Sequence, residues 1–570
     1  MRGGRVIPRT LRCHVPAARR VIFRLQPVSR LSTKAPDSSR EIFEYTSGRW
    51  IYNESLRLSE RRHALNVHEL KRIAAQSVDR HETDIKSFHK LAEGGFNRVF
   101  EITMNDNTRV LARVPYPSTL PKGLAVASEA ATLSLLRSHG IPVPKVLGYS
   151  ATSENPVGAE YIIMEKLPGK PIGDAWYYLP EDERLKVVLG LVLLEAKLFA
   201  IELPAYGSIY YSDDLPPEMS RIAVHRQDSS HSEISVGPDS ALKWWSKERS
   251  LLPIDRGPHT SPTDSLVSIA RKELAWLQSY GQPRLPFERA YREDTNYRKS
   301  MPEEHIETLR KYMRIAPYLV PDDTSLHRPT LRHPDLQPNN IFVSEKFDIV
   351  GIIDWQHSSV LPLFLAAGIP HHLQNYHDEE SLRFVPPILP ENLDNMNERE
   401  RAVSLEQFRR RQLHFYYLGF TKRFNKPHFH ALAQEDTRLL KRKTFIHAGD
   451  PWEGNNIPLK ADLIHITRFW GDFSKTRDGT VPPCPISFDT AEAEECLRIE
   501  KSQEETDTQL DQIRGMLGIG LDGWTSHKEY ENAVAQARYI KDVALGYLET
   551  EAEKEMVSRH WPFDDHDEDE

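Results

Sequence analysis

Cysteine is scarce in this sequence, which has three cysteines among 570 residues. They are Cys13, Cys484 and Cys496, and no two of them form a CxxC or CxxxxC pair. This spacing excludes both a disulfide framework and a zinc cluster built on cysteine pairs. A reducing compartment is the default environment for such a chain.

Long hydrophobic runs are also missing. No stretch reaches the roughly 18 uninterrupted apolar residues that a membrane-spanning helix needs. The nearest approach, residues 187–201, contains Glu195 and Lys197, and we interpret it as a buried helix. The sequence therefore predicts no transmembrane segment, while its hydrophobic content of 39% excludes wholesale disorder.

Acidic residues are absent from the start of the chain, where the first of them is Asp37. The same segment contains Lys34 and eight arginines, namely Arg2, Arg5, Arg9, Arg12, Arg19, Arg20, Arg24 and Arg30. An arginine-rich segment without acids is typical of a mitochondrial presequence, and the apolar stretch of a secretory signal is missing. We predict a presequence over residues 1–35 and a location in the mitochondrion, with the matrix as the expected compartment. A basic arm that binds acidic lipid or RNA is the alternative.

The rest of the chain has a surplus of negative charge. Without the nine basic residues of the presequence, 65 lysines and arginines face 82 acidic residues, a net charge of about −17. This surplus argues against nucleic acid as a partner, because a phosphate backbone attracts positive charge. The last seven residues, 564–570, include six acids. We predict that they form the solvated end of an acidic tail over residues 551–570.

The pattern of apolar residues changes along the chain. An N-terminal extension over residues 36–85 precedes strand-like runs at residues 99–103, 108–114 and 161–164, with one helix at residues 125–138. From residue 181 onward helical periodicity dominates, with polar, proline-rich interruptions near residues 211–240, 250–265 and 281–303. The pattern predicts an α+β protein, with a β-rich part over residues 86–167 and a helical part with insertions over residues 168–550.

Residues 331–355 form the most informative segment. Two short apolar, β-branched runs flank the polar stretch 344–348, and this arrangement predicts a β-hairpin. Asn340 enters the first strand and Asp354 leaves the second, so both lie at the open end of the hairpin. Asp335 lies one short loop upstream. These oxygen atoms suit a magnesium ion that carries a triphosphate, and a carboxylate nearby can take the proton of an attacking hydroxyl.

The pattern His333-x-Asp335-x4-Asn340, followed after the hairpin by Asp354-Trp355, resembles that of the aminoglycoside phosphotransferase and choline kinase superfamily. Those enzymes share the protein-kinase fold, so the resemblance implies two lobes, a small β-rich one that binds nucleotide and a large helical one. It implies that Asp335 is the catalytic base and that His333 braces the loop. It further implies that Asn340 and Asp354 hold Mg2+ and that the second cofactor is ATP.

Supporting motifs stand upstream in the order that kinases have. Gly94 and Gly95 form a turn between strand-like runs, and Asn97 follows them. Glycines let backbone N–H groups approach phosphate oxygens, although a plain hairpin turn explains these residues better when they are taken alone. Arg113 places a cation on the third strand, and Glu129 in the following helix can pair with it. We assign all five to nucleotide binding.

Residues 161–169 resemble the hinge between the two lobes of these enzymes. The resemblance implies that the backbone of Glu165 and Leu167 meets the edge of the adenine ring. Three positions depart from the superfamily pattern. Arg113 stands where most protein kinases have lysine, and its planar fork differs in reach from an ammonium group. Pro334 replaces the glycine that is usual between His and Asp in the antibiotic enzymes, so it stiffens the loop and removes one backbone donor. Gln356 replaces a frequent acid after Asp-Trp. None of the three departures removes a base or a metal ligand.

The chain is similar to the fungal mitochondrial phosphotransferase-like proteins named for altered inheritance of mitochondria. This resemblance implies a mitochondrial role. The catalytic pattern implies an ATP- and magnesium-dependent phosphotransferase whose expected acceptor is an alcohol group of an unknown small molecule, with an amine or a lipid precursor as other acceptors. The alternative is a pseudokinase that binds nucleotide or a partner without turnover, and Arg113, Pro334 and the long insertions keep it open. A purely structural factor for mitochondrial inheritance is a third class, in which the catalytic acids are free to vary.

Overall fold

The structure is a computed structural model that describes residues 42–225, 233–433, 437–474 and 479–570. The predicted presequence lies outside the described residues. Within those ranges, no helix is long and apolar enough to cross a membrane.

Fifteen strands lie in the described ranges, and most of them are short. They are β1 (Arg49–Trp50), β2 (Ile85–Glu93), β3 (Asn97–Met104), β4 (Arg109–Pro115), β5 (Val146–Ser150), β6 (Tyr161–Glu165), β7 (Lys170–Pro171), β8 (Ser208–Tyr211), β9 (Ile222–Ala223), β10 (Ile234–Gly237), β11 (Pro329–Leu331), β12 (Ile341–Val343), β13 (Ile349–Ile352), β14 (Val360–Pro362) and β15 (Trp524–Thr525).

The described residues also form seventeen α-helices, which dominate the chain after β6. They are α1 (Glu54–Arg61), α2 (Val67–Gln76), α3 (Leu124–Ser138), α4 (Gly173–Trp176), α5 (Glu181–Phe199), α6 (Pro262–Tyr280), α7 (Pro302–Leu319), α8 (Leu363–Ala366), α9 (Glu379–Leu382), α10 (Glu398–Phe424), α11 (Lys426–Leu432), α12 (Thr437–Gly449), α13 (Ile457–Arg468), α14 (Trp470–Ser474), α15 (Thr490–Leu517), α16 (Tyr530–Gly546) and α17 (Glu551–Arg559).

The small lobe is built on an antiparallel five-stranded sheet in the order β2-β3-β4-β6-β5. The three predicted runs correspond to β3, β4 and β6, and the predicted helix corresponds to α3. The strands β2 and β5 lie at the two edges of the sheet. The glycine-rich turn implied a strand before it without bounds, which is β2, and β5 was not predicted. The residues of both strands are mostly half-buried or exposed, and such strands lack the apolar runs that mark central ones.

Helix α2 of the N-terminal extension packs on this sheet. Its buried residues Leu70 and Ala74 share one apolar core with Phe100 and Ile102 of β3 and Val110 of β4. Helix α3 is buried along almost its whole length, because its residues also join the large core of the helical lobe. A helix enclosed in this way holds its polar side chains in fixed positions.

The predicted hairpin is confirmed. Strands β12 and β13 pair antiparallel, with Ile341 opposite Ile352. Strand β7, which follows the hinge segment 166–169, pairs with β12, where Pro171 lies opposite Phe342. The chain therefore passes from the small lobe directly onto the hairpin that carries the candidate catalytic residues. The molecule has a two-lobed α+β fold with a β-rich small lobe and a large helical lobe.

The end of the chain makes contacts that the prediction of a solvated acidic tail did not include. Glu568 pairs with Arg57 of α1, and Glu570 Oε2 lies 2.9 Å from Arg292 Nη1. Just before these acids, Phe563 is buried in a small apolar core. The acidic side chains themselves remain partly solvated, since Asp569 is 75% exposed and Glu570 is 39% exposed.

Candidate active site

Arg113 of β4 connects the small lobe to the segment that follows the hairpin. Its guanidinium donates to Glu129 of α3, to Asp354 Oδ1 at 2.6 Å and to Gln356 Oε1 at 2.9 Å. Glu129 is only 3% exposed, and burial raises its pKa to about 7, although the charge of Arg113 opposes this shift. The predicted pairing of Arg113 with Glu129 is therefore present, and the same guanidinium also reaches Asp354, since a planar fork can serve two partners.

Asp354 lies directly after β13 in an unusual backbone conformation. Its φ of +67° is in the left-handed region, which aspartate tolerates better than most side chains. The side chain is 44% exposed, so the carboxylate remains accessible beside Arg113. Burial of the group favours a higher pKa, but the charge of Arg113 outweighs it and holds the pKa below its usual value. Asp354 is thus an ionised carboxylate that can bind a cation.

His333 links the loop before the hairpin to the end of β13. Its Nε2–H donates to the carbonyl oxygen of Ile353 at 2.8 Å, and its Nδ1 accepts the N–H of Asp335 at 3.1 Å. The ring packs edge-on against Trp355. Burial lowers the pKa of His333 to about 4, so the ring is neutral at neutral pH. Only the neutral ring can accept the Asp335 N–H.

Asn340 and Asp335 contact each other across the loop. Asn340 Nδ2 donates to the carbonyl oxygen of Asp335 at 2.8 Å, and Gln337 Nε2 donates to Asp335 Oδ2 at 2.6 Å. This bond to Asp335 uses the amide nitrogen of Asn340, so the amide oxygen remains available to another partner. The carbonyl oxygen of Asn340 accepts the N–H of Ile353 at 3.0 Å. Asn340 therefore stands opposite the residue that precedes Asp354, as the hairpin predicted.

The two carboxylates of this site have opposite pKa shifts. Burial raises the pKa of Asp335, and the nearby negative charge of Asp354 adds to the increase. The pKa of Asp354 is lowered, as described above. Neighbouring carboxylates whose environments separate their pKa values are suited to different roles, one as a proton acceptor and the other as a permanently charged ligand.

The glycine-rich turn closes between β2 and β3. The N–H of Gly94 donates to the carbonyl oxygen of Asn97 at 2.9 Å. A Cβ added at Gly95 would meet no atom within 4 Å, so the fold itself does not require glycine there. The open space over the turn is compatible with close approach of a ligand to the backbone.

The side chain of Asn97 points inward instead of toward this open space. It is 8% exposed and its amide lies 2.6 Å from Gln356 Oε1. With the amide turned the other way, its oxygen instead accepts from Arg113 Nη2 at 2.7 Å. Gln356 is equally buried, and sequence analysis gave it no role. Its position two residues after Asp354 was the signal that it belongs to the site.

The hinge residues contact both lobes. The N–H of Glu165 donates to the carbonyl oxygen of Lys145 at 2.9 Å, and its side chain pairs with Arg137 at 2.8 Å. Leu167 is buried against β13, since a Cβ added at Gly351 would lie 2.2 Å from Leu167 Cδ1. The segment is thereby fixed between the sheet and the hairpin.

A small antiparallel sheet with one buried helix, a hinge, and a helical lobe that presents the Asp335–Asp354 segment define a kinase-like protein. A model of the phosphotransferase enzyme family matches residues 87–364, a range that contains every residue of the candidate site. The segment over residues 87–364 therefore belongs to the phosphotransferase enzyme family.

Curated relatives extend the match to most of the chain. A subtelomeric hrmA-associated cluster protein of Aspergillus fumigatus is 33% identical over 515 residues, which cover 84% of this chain and 96% of the relative. Altered inheritance of mitochondria protein 9, mitochondrial, of Lachancea thermotolerans is 23% identical over 516 residues, covering 83% and 79%. Among solved structures, the streptomycin–ATP–APH(2")-IIa complex aligns with a TM-score of 0.34 and 12% identity, covering 71% of this chain and 97% of the other. The resemblance drawn from the motifs is confirmed.

Proposed function

We propose that this protein is an ATP- and magnesium-dependent phosphotransferase that acts on a hydroxyl group of a small molecule. The observation that carries the proposal is the geometry of residues 333–354. The amide of Asn340 contacts Asp335, the backbone of Asn340 pairs with the residue before Asp354, and the two carboxylates have opposite pKa shifts. Membership of the phosphotransferase family supports the same reaction class.

The donor set fits magnesium. Mg2+ prefers oxygen ligands and is commonly held by one or two protein groups together with substrate phosphates. Asp354 offers an accessible, ionised carboxylate, and Asn340 offers the amide oxygen that its hydrogen bond to Asp335 leaves available. Asn340 and Asp354 would hold the ion, and its positive charge would offset the charge of the phosphates.

We assign the nucleotide to the face of the sheet that meets the hairpin. The open backbone of Gly94 and Gly95 would approach the phosphates, and Arg113, held by Glu129, would pair with them. Because the N–H of Glu165 is already bonded to Lys145, Glu165 would contribute its carbonyl oxygen to the adenine. Leu167 would contribute its backbone N–H.

The chemistry that remains for the protein is positioning and proton transfer, since phosphoryl transfer requires little covalent chemistry from the enzyme. Asp335 would accept a hydrogen bond from the acceptor hydroxyl and take its proton as the bond to phosphorus forms. Its raised pKa favours this role. His333 would hold the backbone of Asp335 in place through the N–H that it accepts.

The proposal is tested with protein that begins at residue 36. ATP with magnesium should raise its melting temperature more than ATP with EDTA, because a ligand that binds only the folded state stabilises it. A screen of small hydroxyl compounds should then detect ATP-dependent phosphorylation by mass spectrometry. Equal shifts with and without magnesium, together with no phosphorylated product, would argue against the proposal.

The alternative of a binding protein without turnover has one observation in its favour. Arg113 Nη2 donates to Asp354 Oδ1 at 2.6 Å, so the proposed metal ligand already has a cationic partner. If that pair persists when nucleotide binds, magnesium has one ligand fewer. Nucleotide-dependent stabilisation that is insensitive to magnesium, with no transfer to any acceptor, would identify this second function.

We further propose that the protein acts in the mitochondrial matrix. The arginine-rich, acid-free segment over residues 1–35 has the composition of a presequence. Two relatives whose names include the word "mitochondrial" match this protein over most of its length. The acidic charge of the remaining chain supports a small-molecule acceptor over nucleic acid.

A further inference from the structure

A cavity of about 390 Å³ lies in the helical lobe among residues that the proposed reaction does not use. Its walls come from residues 242–249, from α6, from Arg284 and from residues 451–453. Pockets that bind small molecules have volumes of about 300–1,000 Å³, so this cavity has the size of a small ligand.

Two tryptophans form the apolar walls. The indole N–H of Trp276 donates to Glu248 Oε2 at 3.0 Å, and that of Trp452 donates to Asn456 Oδ1 at 2.7 Å. These bonds satisfy both N–H groups and fix both rings. The guanidinium of Arg249 covers one face of Trp276, 4.0 Å from the ring centroid, so an apolar or aromatic body can use the remaining surface of the two rings. Leu242 completes this part of the lining.

The charged residues that line the cavity differ in whether their charges can reach a ligand. Arg249 is completely buried and bonded to Glu273, so it has no charge to offer. Lys247 and Arg284 instead direct their charges to the rim, where both meet Asp569. Glu453 is the acid in the lining, and by itself it balances only one of the two rim cations.

The carboxylate of Asp569 shows that Lys247 and Arg284 at the rim can bind an anionic group. Its oxygen Oδ1 lies 2.6 Å from Lys247 Nζ and 3.4 Å from Arg284 Nη2. The Asp569 side chain is 75% exposed, and exposed ion pairs contribute little to stability. A carboxylate is therefore accommodated between the two cations, but it is held so loosely that a better ligand can displace it.

We propose that this cavity is a second ligand site, which binds a small organic anion. The apolar or aromatic body of the ligand would lie between Trp276 and Trp452, and its carboxylate or phosphate group would replace Asp569 between Lys247 and Arg284. The C-terminal segment is then an internal competitor for the site. The proposal does not depend on the proposed phosphotransferase reaction.

The test uses the protein from residue 36 and measures thermal stability with phenyl phosphate, phenylacetate, inorganic phosphate and tetramethylammonium. Phenyl phosphate or phenylacetate should raise the melting temperature, and the response to these two separates a phosphate from a carboxylate ligand. Asp569→Asn should tighten binding about two- to fivefold, because it removes an exposed ionic competitor. Lys247→Ala combined with Arg284→Ala should weaken it about tenfold or more, because both charged contacts are lost.

Matched controls separate this site from general effects of charge. Asp511→Asn removes an acid as exposed as Asp569, and Lys528→Ala removes a more exposed cation elsewhere on the surface; both should leave binding unchanged. The double variant should also keep its full response to ATP with magnesium, which excludes binding of the probe at the nucleotide site. Stabilisation by tetramethylammonium alone, a response that survives the double substitution, or no response to either aromatic anion would overturn the proposal.

Discussion

At the scale of single residues, the site combines groups whose properties come from their neighbours. Asp335 and Asp354 are the same kind of side chain, yet only Asp354 has a guanidinium beside it. Asp335 has amide donors from Gln337 and Asn340 instead. Amide donors and a full positive charge stabilise a carboxylate to different degrees, and this difference supports the different roles that we propose for the two acids.

Substitution of the two acids should therefore have different effects. We expect Asp335→Asn to bind ATP with magnesium almost as the parent does and to lose about 10²–10⁴-fold in turnover, the usual contribution of a general base. Asp354→Ala should lose both turnover and the magnesium-dependent part of nucleotide binding. Turnover and nucleotide affinity are measured separately for each variant.

A carboxylate at the other end of the hairpin provides the control. Asp348 is exposed and pairs with Lys186, so Asp348→Asn should retain both turnover and binding. Full activity of Asp335→Asn would contradict the assignment of the base and would favour a protein that binds nucleotide without turnover.

The contact between Asn97 and Gln356 predicts that these two residues are energetically coupled in nucleotide binding. Their buried side chains meet at 2.6 Å and connect the glycine-rich turn to the proposed metal ligand. Asn97→Leu and Gln356→Leu should each weaken binding of ATP with magnesium, and a double-mutant cycle should show a coupling energy of about 0.5–3 kcal/mol. A coupling of zero would mean that the contact has no part in nucleotide binding.

The chain offers a similar pair for comparison. Asn455 Nδ2 donates to Gln503 Oε1 at 3.1 Å, among helices outside the candidate site. Leucine substitutions there should leave nucleotide affinity unchanged even if they alter stability. Similar losses of affinity at both pairs would show that the effect at Asn97 and Gln356 is a general consequence of destabilisation.

At the scale of elements, the hinge and the hairpin of strands β12 and β13 meet at Gly169. This residue has a φ of +88°, and a Cβ added there would lie 2.3 Å from the carbonyl oxygen of Val343 in β12. Backbone cannot move aside as an exposed side chain can. The close approach of the hinge to β12 therefore requires glycine, for reasons of both conformation and space.

Gly169→Ala should lower the free energy of unfolding by more than about 2 kcal/mol, the sum of left-handed strain and the clash with β12. Gly158 has a similar φ of +74° but open space around its Cα. Gly158→Ala should thus cost only the strain, about 1–2 kcal/mol. Urea unfolding measures both values, and equal losses would mean that the contact with Val343 is relaxed in solution.

At the scale of the whole molecule, buried histidines make stability depend on pH. His305 of α7 is almost fully buried, and within the described residues neither of its ring nitrogens has a hydrogen-bond partner. Burial lowers its pKa from 6.5 to about 4, although the charge of Glu273 opposes the shift. Between these two pH values the unfolded chain binds a proton that the folded chain does not.

The contribution of His305 is therefore complete above about pH 6.5 and is lost as the pH falls toward 4. Its size is at most about 3 kcal/mol. His305→Phe should reduce the loss of unfolding free energy between pH 7 and pH 4.5, as measured by urea unfolding at both values. The exposed His377 is the control, and His377→Phe should leave the loss unchanged. An unchanged loss in His305→Phe would show that this ring is protonated in the folded protein.

Targeting to mitochondria is the second property that concerns the whole molecule. We expect residues 1–45 to carry a fluorescent reporter into mitochondria, because the arginines of this segment provide the positive charge that import requires. The same segment with glutamine at the eight arginines of residues 1–35 should leave the reporter in the cytosol. A cytosolic location of the unaltered fusion would remove the support for a matrix protein.

The sequence by itself determined the parts of the site that are close along the chain. The hairpin, and the positions of Asp335, Asn340 and Asp354 around it, follow from apolar runs and polar breaks within residues 331–355. The central strands β3, β4 and β6 and the buried helix α3 were also predictable, because buried elements have strong apolar patterns. The bounds of the edge strand β2 and the whole of β5 were not, because half-exposed strands lack that pattern.

Only the tertiary structure decided which distant groups meet. The inward orientation of Asn97, its contact with Gln356, and the sharing of Arg113 between Glu129 and Asp354 depend on how two lobes pack. The docking of the acidic C-terminal segment likewise depends on basic residues that lie hundreds of positions away in the sequence. The composition of a segment indicates whether it tolerates contact with water. Which residue pairs with a given charge depends on the path of the whole chain and on burial, and no local sequence pattern contains that information.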